Sequence, residues 1–201
     1  MTTIHDIMSL APVIPVIVID DVAAARPLAE ALVAGGLTAL EVTLRTPAAL
    51  DAIRAMSEVE GATVGAGTVL DPRQFDQAVA AGARFVVSPG LTDPLIEHAR
   101  TSGVPFLPGV ATAGEIMRGL DAGLTHFKFF PAAASGGLPA LKALAQPFGE
   151  ARFCPTGGVS EATAPEWLAH PSVECVGGSW VIAADPAETE RRARAAAALA
   201  R

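Results

Sequence analysis

Two cysteines, four histidines and two lysines are all that 201 residues supply of three chemically versatile side chains. Cys154 and Cys175 stand apart, with no CxxC and no metal-ligand spacing. They read as buried thiols in a reducing cytoplasm, not as a disulfide framework. His5, His98, His126 and His170 are scattered without paired spacing, so no metal site is expected. His98 and His170 fall where surface residues are expected, whereas His126 points inward and could hydrogen-bond within the core. Basic residues are few (14 Lys and Arg against 21 Asp and Glu, net −7), and they form no cluster. That excludes the phosphate-neutralising patch a nucleic-acid partner needs, while backbone amides and single arginines can still hold a small anion. The apolar run "LAPVIPVIVI" follows no positive segment, contains two prolines and is too short to span a bilayer. It reads as a core strand of a cytoplasmic protein.

What the chain has in quantity is alternation. No low-complexity linker divides it, and 51% of its residues are hydrophobic, enough for one well-buried domain over 1–201. Strands are expected at 13–19, 39–45, 62–68, 84–88, 104–109, 125–130, 151–155 and 173–178, separated by alanine-rich helical segments. A helix over 22–34 would end at Gly35-Gly36, and Thr46-Pro47, Asp71-Pro72 and Thr92-Asp93-Pro94 read as helix starts. Such alternation implies an α/β fold with parallel strands, and eight units suit a small (β/α)8 TIM barrel. An open doubly wound sheet is the rival. Against it, the first strand-to-helix junction lacks the glycine fingerprint of a dinucleotide site.

The chemistry gathers where the strands end. In "LEVTLR" the period of two puts Leu40, Val42 and Leu44 on one face and Glu41, Thr43 and Arg45 on the other, toward the interior. In "THFKFF" it turns Phe127 and Phe129 toward the helices and His126, Lys128 and Phe130 inward. Lys128 could simply neutralise Glu41, but a buried salt bridge is a poor source of stability. Removal from water, or a cationic neighbour, depresses a lysine pKa and frees a nucleophilic amine. An amine of this kind forms a Schiff base whose iminium accepts the electrons of a breaking C–C bond. Lys142, in a predicted helix, reads as a surface residue. "PTGG" and "GGS" follow the seventh and eighth strands, where such barrels recurrently hold phosphate, so Gly157, Gly158 and Ser179 are candidate donors. Thr68 could donate to a carboxylate or only cap, and Pro89 could shape its loop or touch a ligand.

The motifs "PVIPVIVI", "LVAGG", "LEVTLRT", "VGAGTVL", "SPGLT", "FKFFPA", "RFCPTGG" and "GGSW" closely resemble the 2-keto-3-deoxy-6-phosphogluconate (KDPG) and 4-hydroxy-2-oxoglutarate (KHG) aldolase family, from about Pro12 to Val181. The resemblance implies a class I, metal-independent and cofactor-free aldolase, a homotrimeric barrel of the Entner–Doudoroff pathway that yields pyruvate and glyceraldehyde 3-phosphate. By the same resemblance Lys128 forms the Schiff base and Glu41 is the general acid/base. Arg45 and Thr68 then bind the pyruvate carboxylate, while Gly157, Gly158 and Ser179 hold the phosphate. Thr156 influences stereochemistry and favours a gluconate-type over a galactonate-type substrate. Pro89 and Phe130 complete the expected substrate contacts. Ala133 departs from the glutamate frequent after "FPA", which leaves the chemistry intact and the local loop or trimer contacts less defined. The alternatives are a galactonate-type aldolase and a sugar-phosphate-binding barrel without a Schiff base.

Overall fold

The computed structural model describes residues 2–200. Its strands are β1 (Val13–Ile17), β2 (Ala39–Thr43), β3 (Thr63–Gly67), β4 (Phe85–Val87), β5 (Phe106–Leu107), β6 (Gly109–Val110), β7 (His126–Phe129), β8 (Arg152–Pro155) and β9 (Val176–Gly178). All their pairings are parallel: a six-stranded sheet in the order β5-β4-β3-β2-β1-β9 and a three-stranded sheet β6-β7-β8. The strand expected over 104–109 is therefore two short pieces. Pro108 stands between them; it has no N–H to offer a ladder, though its carbonyl accepts from Lys128 N at 2.8 Å. Isolated parallel bridges, Thr156 to Gly177 and Phe153 to Val173, join β8 to the segment of β9. The architecture is α/β, with curled parallel sheets and helices between successive strands other than β5 and β6.

Period-two alternation sorts the apolar residues into two layers. Leu40, Val42, Val64, Ala66, Phe127, Phe129 and Phe153 belong to a large cluster that also takes Leu32, Ile53, Met56, Phe75 and Leu141 from the helices. The opposite strand faces supply a smaller cluster, with Ile14, Ala39, Phe85, Val87, Leu107, Cys154 and Cys175. Both faces being buried explains why these strands read as nearly continuous apolar runs. Gly65 belongs to the inner layer: a Cβ there would lie 2.4 Å from the Phe85 ring, so its bare backbone admits that ring. Both cysteines are buried, as expected.

The inner layer is closed by an element the sequence did not announce. Helix α1 (Ile4–Met8) starts at a Thr3–Asp6 capping box and inserts fully buried Ile7 and Met8 beside Ile14 and Phe85. Burying two such side chains is worth about 1.5–3 kcal/mol each, which offsets the ordering of a five-residue helix that would not form alone.

The remaining helices are α2 (Ala25–Ala34), reached through a 3-10 turn at Val22–Ala24, α3 (Ala49–Ser57), α4 (Pro72–Ala80), α5 (Asp93–Ser102), α6 (Ala113–Asp121), α7 (Gly137–Ala145), α8 (Ala164–Leu168) and α9 (Pro186–Ala197). Asp71 caps α4 by accepting from Gln74 N, and α5 follows Thr92, as expected. Thr46-Pro47 does not open a helix. Thr46 Oγ1 instead donates to Ile19 O at 2.5 Å, tying the exits of β1 and β2 together, and α3 begins three residues later. Lys142 is exposed on α7. Among the described residues no helix is long and apolar enough to cross a membrane.

Candidate active site

Glu41 reaches the site from β2 and Lys128 from β7, both turned away from the helices by the alternation that buries Val42 and Phe127. They are 3% and 5% exposed, and Lys128 Nζ donates to Glu41 Oε1 at 3.0 Å. The neighbour within hydrogen-bond reach of the amine is thus a carboxylate, not a cation. Gly67 makes this meeting possible, since a Cβ there would lie 2.2 Å from Glu41 Oε1. Phe130 stands beside the amine, its ring centroid 5.2 Å from Nζ, within cation–π range.

Lys128 opens into a cavity of about 330 Å³ at the C-terminal ends of the strands. Arg45, Thr68, Pro89 and Phe130 line it, as do Thr156, Gly157, Gly158 and Ser179. Every substrate-contacting residue expected from the sequence therefore converges on one space with Lys128. The position of Arg45 needs correction: β2 ends at Thr43, so Arg45 lies exposed on the following turn, its N–H bonded to Thr43 O. It reaches the cavity rim instead of the strand interior. Thr43 donates to Ile17 O and ties β2 to β1.

Local backbone shapes the remaining wall. Thr68 has φ 58°, a left-handed conformation costly for a β-branched residue and characteristic of functional sites. Pro89 is held by its neighbours: fully buried Ser88 donates through Oγ to Gly90 O at 2.6 Å, and a Cβ on Gly109 would lie 2.2 Å from Pro89 O. Gly157 and Gly158 have φ 95° and 82°, open to glycine without strain, which presents their backbone to the cavity. The backbone after Ser179 forms a turn closed by Ile182 N to Ser179 O, so no helix begins there.

Sequence reading missed Val16, Val159 and the supporting Gly67. Val16 shares the inner face of β1 with Ile14, and Val159 follows the glycine pair; both border the cavity. The signal for Gly67 was its place two residues after Gly65 in "GAG", on one strand face.

Away from this cavity, His5, His126 and Glu174 meet although their spacing in sequence showed no pairing. His126 does find a polar neighbour, Thr125 Oγ1, at 2.9 Å. Burial pushes the Glu174 carboxyl up, but His126 and His5 outweigh it and hold the group below its ordinary value. His98 and His170 are half-buried, not fully at the surface; His98 Nε2 lies 2.7 Å from Asp76 Oδ1.

A family model described as KDPG and KHG aldolase matches residues 4–197. The 2-dehydro-3-deoxy-phosphogluconate aldolase of Zymomonas mobilis subsp. mobilis is 60% identical over 184 residues, 92% of this chain and 88% of that one. The crystal structure of the Zymomonas mobilis ZM4 2-keto-3-deoxy-6-phosphogluconate aldolase with 3-phosphoglycerate superposes with a TM-score of 0.97 at 57% identity, covering 98% and 96% of the two chains. That of the Legionella pneumophila KDPG aldolase, with pyruvate captured at low pH as a covalent carbinolamine intermediate, gives 0.95 at 46% identity, covering 98% and 99%. With an inward lysine–glutamate pair beneath a glycine-lined cavity, and likeness along nearly its whole length, the chain belongs to the KDPG and KHG aldolase family.

Proposed function

We propose that this protein is a class I aldolase that reversibly cleaves 2-keto-3-deoxy-6-phosphogluconate to pyruvate and D-glyceraldehyde 3-phosphate, and also cleaves 4-hydroxy-2-oxoglutarate to pyruvate and glyoxylate. The observation that carries this reading is the buried Lys128–Glu41 pair, 3.0 Å apart, with the amine opening into a cavity of about 330 Å³. An ammonium cannot attack a ketone, and Glu41 is within reach to accept its proton. The amine then adds to C2 of the keto-acid to give a carbinolamine, and loss of water leaves an iminium. Glu41, directly or through a water, takes the C4 hydroxyl proton. The C3–C4 electron pair moves into the iminium, releasing the aldehyde and leaving an enamine of pyruvate. Protonation at C3 and hydrolysis return the amine.

Arg45, from the rim, and Thr68, in its strained conformation, orient the carboxylate. Gly157, Gly158 and Ser179 receive the phosphate, and Pro89 and Phe130 form walls. Thr156 is 5% exposed, and a Cβ on Gly177 would lie 2.3 Å from its Oγ1, so its hydroxyl is closely held where it can select stereochemistry. Each step uses side chains of this chain and water, so the scheme requires no cofactor.

The two sheets make one closed (β/α)8 barrel and a single domain over 1–201, with β5 and β6 acting as one strand interrupted at Pro108. Supporting this are the parallel pairings and the bridge from Thr156 to Gly177. A cytoplasmic homotrimer serving the Entner–Doudoroff pathway follows from family resemblance, and sedimentation equilibrium tests the oligomer. The chemistry is tested by borohydride reduction in the presence of pyruvate, which should leave a three-carbon adduct on Lys128. An unmodified Lys128, or an adduct confined to Lys142, overturns it.

A further inference from the structure

At the N-terminal side of β7 lies a group of side chains that the aldol chemistry does not use. His5 comes from α1, His126 opens β7 and Glu174 precedes β9, and one ligand atom of each lies within 4.8 Å of the other two. His5 Nδ1 is 2.8 Å from Glu174 Oε1, and His126 Nε2 is 3.4 Å from Glu174 Oε2. The two imidazoles, 5.5 Å apart and tilted by 54°, converge on the carboxylate without stacking. None of the three lines the cavity above Lys128.

The hydrogen bonding around His126 leaves a defect. His126 Nδ1 pairs with Thr125 Oγ1 at 2.9 Å, and its Nε2 faces Glu174 Oε2 at 3.4 Å. Both atoms are buried, and neither has a hydrogen-bond partner. In the tautomer with the proton on Nδ1, Nε2 and the carboxylate oxygen are two electron-rich atoms face to face, which is costly unless a cation lies between them.

We propose that His5, His126 and Glu174 bind one divalent transition-metal ion, zinc being the best match, and that it staples α1 to the strand ends beneath the inner core. Bonds of about 2.0–2.1 Å in a tetrahedron set neighbouring ligand atoms roughly 3.3 Å apart. His5 Nδ1 lies 2.8 Å from Oε1, His126 Nε2 lies 3.4 Å from Oε2, and one ligand atom of each residue falls within 4.8 Å of the others, a span that small side-chain rotations bring to that edge. Two imidazoles and a carboxylate suit zinc or cobalt; magnesium and calcium prefer oxygen alone. The His5 side chain is 57% exposed, so the ion has a path from solvent and a water can fill the fourth position. Thr125 Oγ1 can accept from Nδ1–H and so supply the outer contact of a ligating His126 ring. The site is structural and lies outside the metal-free aldol scheme.

The test uses the full-length, tag-free protein, stripped with chelator and titrated with cobalt(II) at neutral pH while visible d–d bands are recorded. The expected result is saturation at one equivalent with four-coordinate bands, displacement by zinc but not magnesium, and a higher thermal midpoint with zinc. His5→Ala alters only an exposed side chain and should lower cobalt affinity at least about tenfold, as should Glu174→Gln; Thr125→Val should lower it by about tenfold. Absence of stoichiometric binding overturns the proposal. So does binding that survives His5→Ala and Glu174→Gln, which would place the ion elsewhere. Equally weak uptake by wild type and His5→Ala overturns it too, and indicates that a second proton on His126 holds Glu174.

Discussion

The two ends of the parallel strands treat buried charge differently. Above, Lys128 and Glu41 are almost wholly removed from water, yet their amine opens into a cavity walled by Thr68, Phe130 and the glycines 157 and 158. Below, α1 fills the space with Ile7 and Met8, and the polar group of His5, His126 and Glu174 sits at the margin of that plug. One end keeps an expensive pair accessible to substrate, and the other spends its burial on holding the fold together. Strand β7 serves both: His126 opens it and Lys128 lies two residues further along. A sheet with layered inner side chains can therefore separate reactivity from stability along a single strand.

The largest effect expected is from Lys128→Met. Cleavage should fall by at least about 10⁴-fold, as when an enzyme loses its nucleophile. The same change strands Glu41 without a partner, and urea denaturation should show a loss of about 3–5 kcal/mol. Adding Glu41→Gln should restore part of that stability and none of the activity. A double variant that regains turnover would break the division between the two ends.

Gly67→Ala pushes a methyl group into the Glu41 carboxylate and should lower kcat by about 10²-fold through misplacement alone. Unchanged kinetics would mean that the position of Glu41 is not critical. At the other end, Ile7→Ala should cost about 2–5 kcal/mol in chemical denaturation while kcat stays as it was. A large fall in kcat there would show that the plug supports the site directly.

The smallest effect is expected on α9. Arg191 and Arg192 lower the Glu188 carboxyl from 4.5 to about 2. A depressed folded-state pKa stabilises above the ordinary value, so this contribution is fully present above about pH 4.5 and fades as pH falls toward 2. Glu188→Gln should remove that part of the acid dependence of the thermal midpoint, and only slightly, because the pair is solvent-screened. An identical acid limb in the variant would show that the pair contributes nothing.

Much of this is legible in the sequence. Alternation in "LEVTLR" and "THFKFF" correctly turned Glu41 and Lys128 away from Val42 and Phe127, because strand geometry makes facing a local property. Thr46-Pro47 misled because a cap and a tether use the same hydroxyl, and which carbonyl it meets depends on how β1 exits. Helix α1 was missed because five residues carry too little periodicity, and its stability comes from the core it closes.

By itself the sequence determined the alternation of the main strands and helices, the alternating faces of strands such as β2 and β7, the lysine that could carry a Schiff base and the glycines that keep backbone bare. Only the tertiary structure decided that Glu41 meets Lys128, 87 residues away, in the space that Gly67 leaves, and that His5 and Glu174 converge on His126. Periodicity is set by neighbours along the chain. Which inward residues touch is set by how far the sheets curl, and that depends on the packing of the whole core.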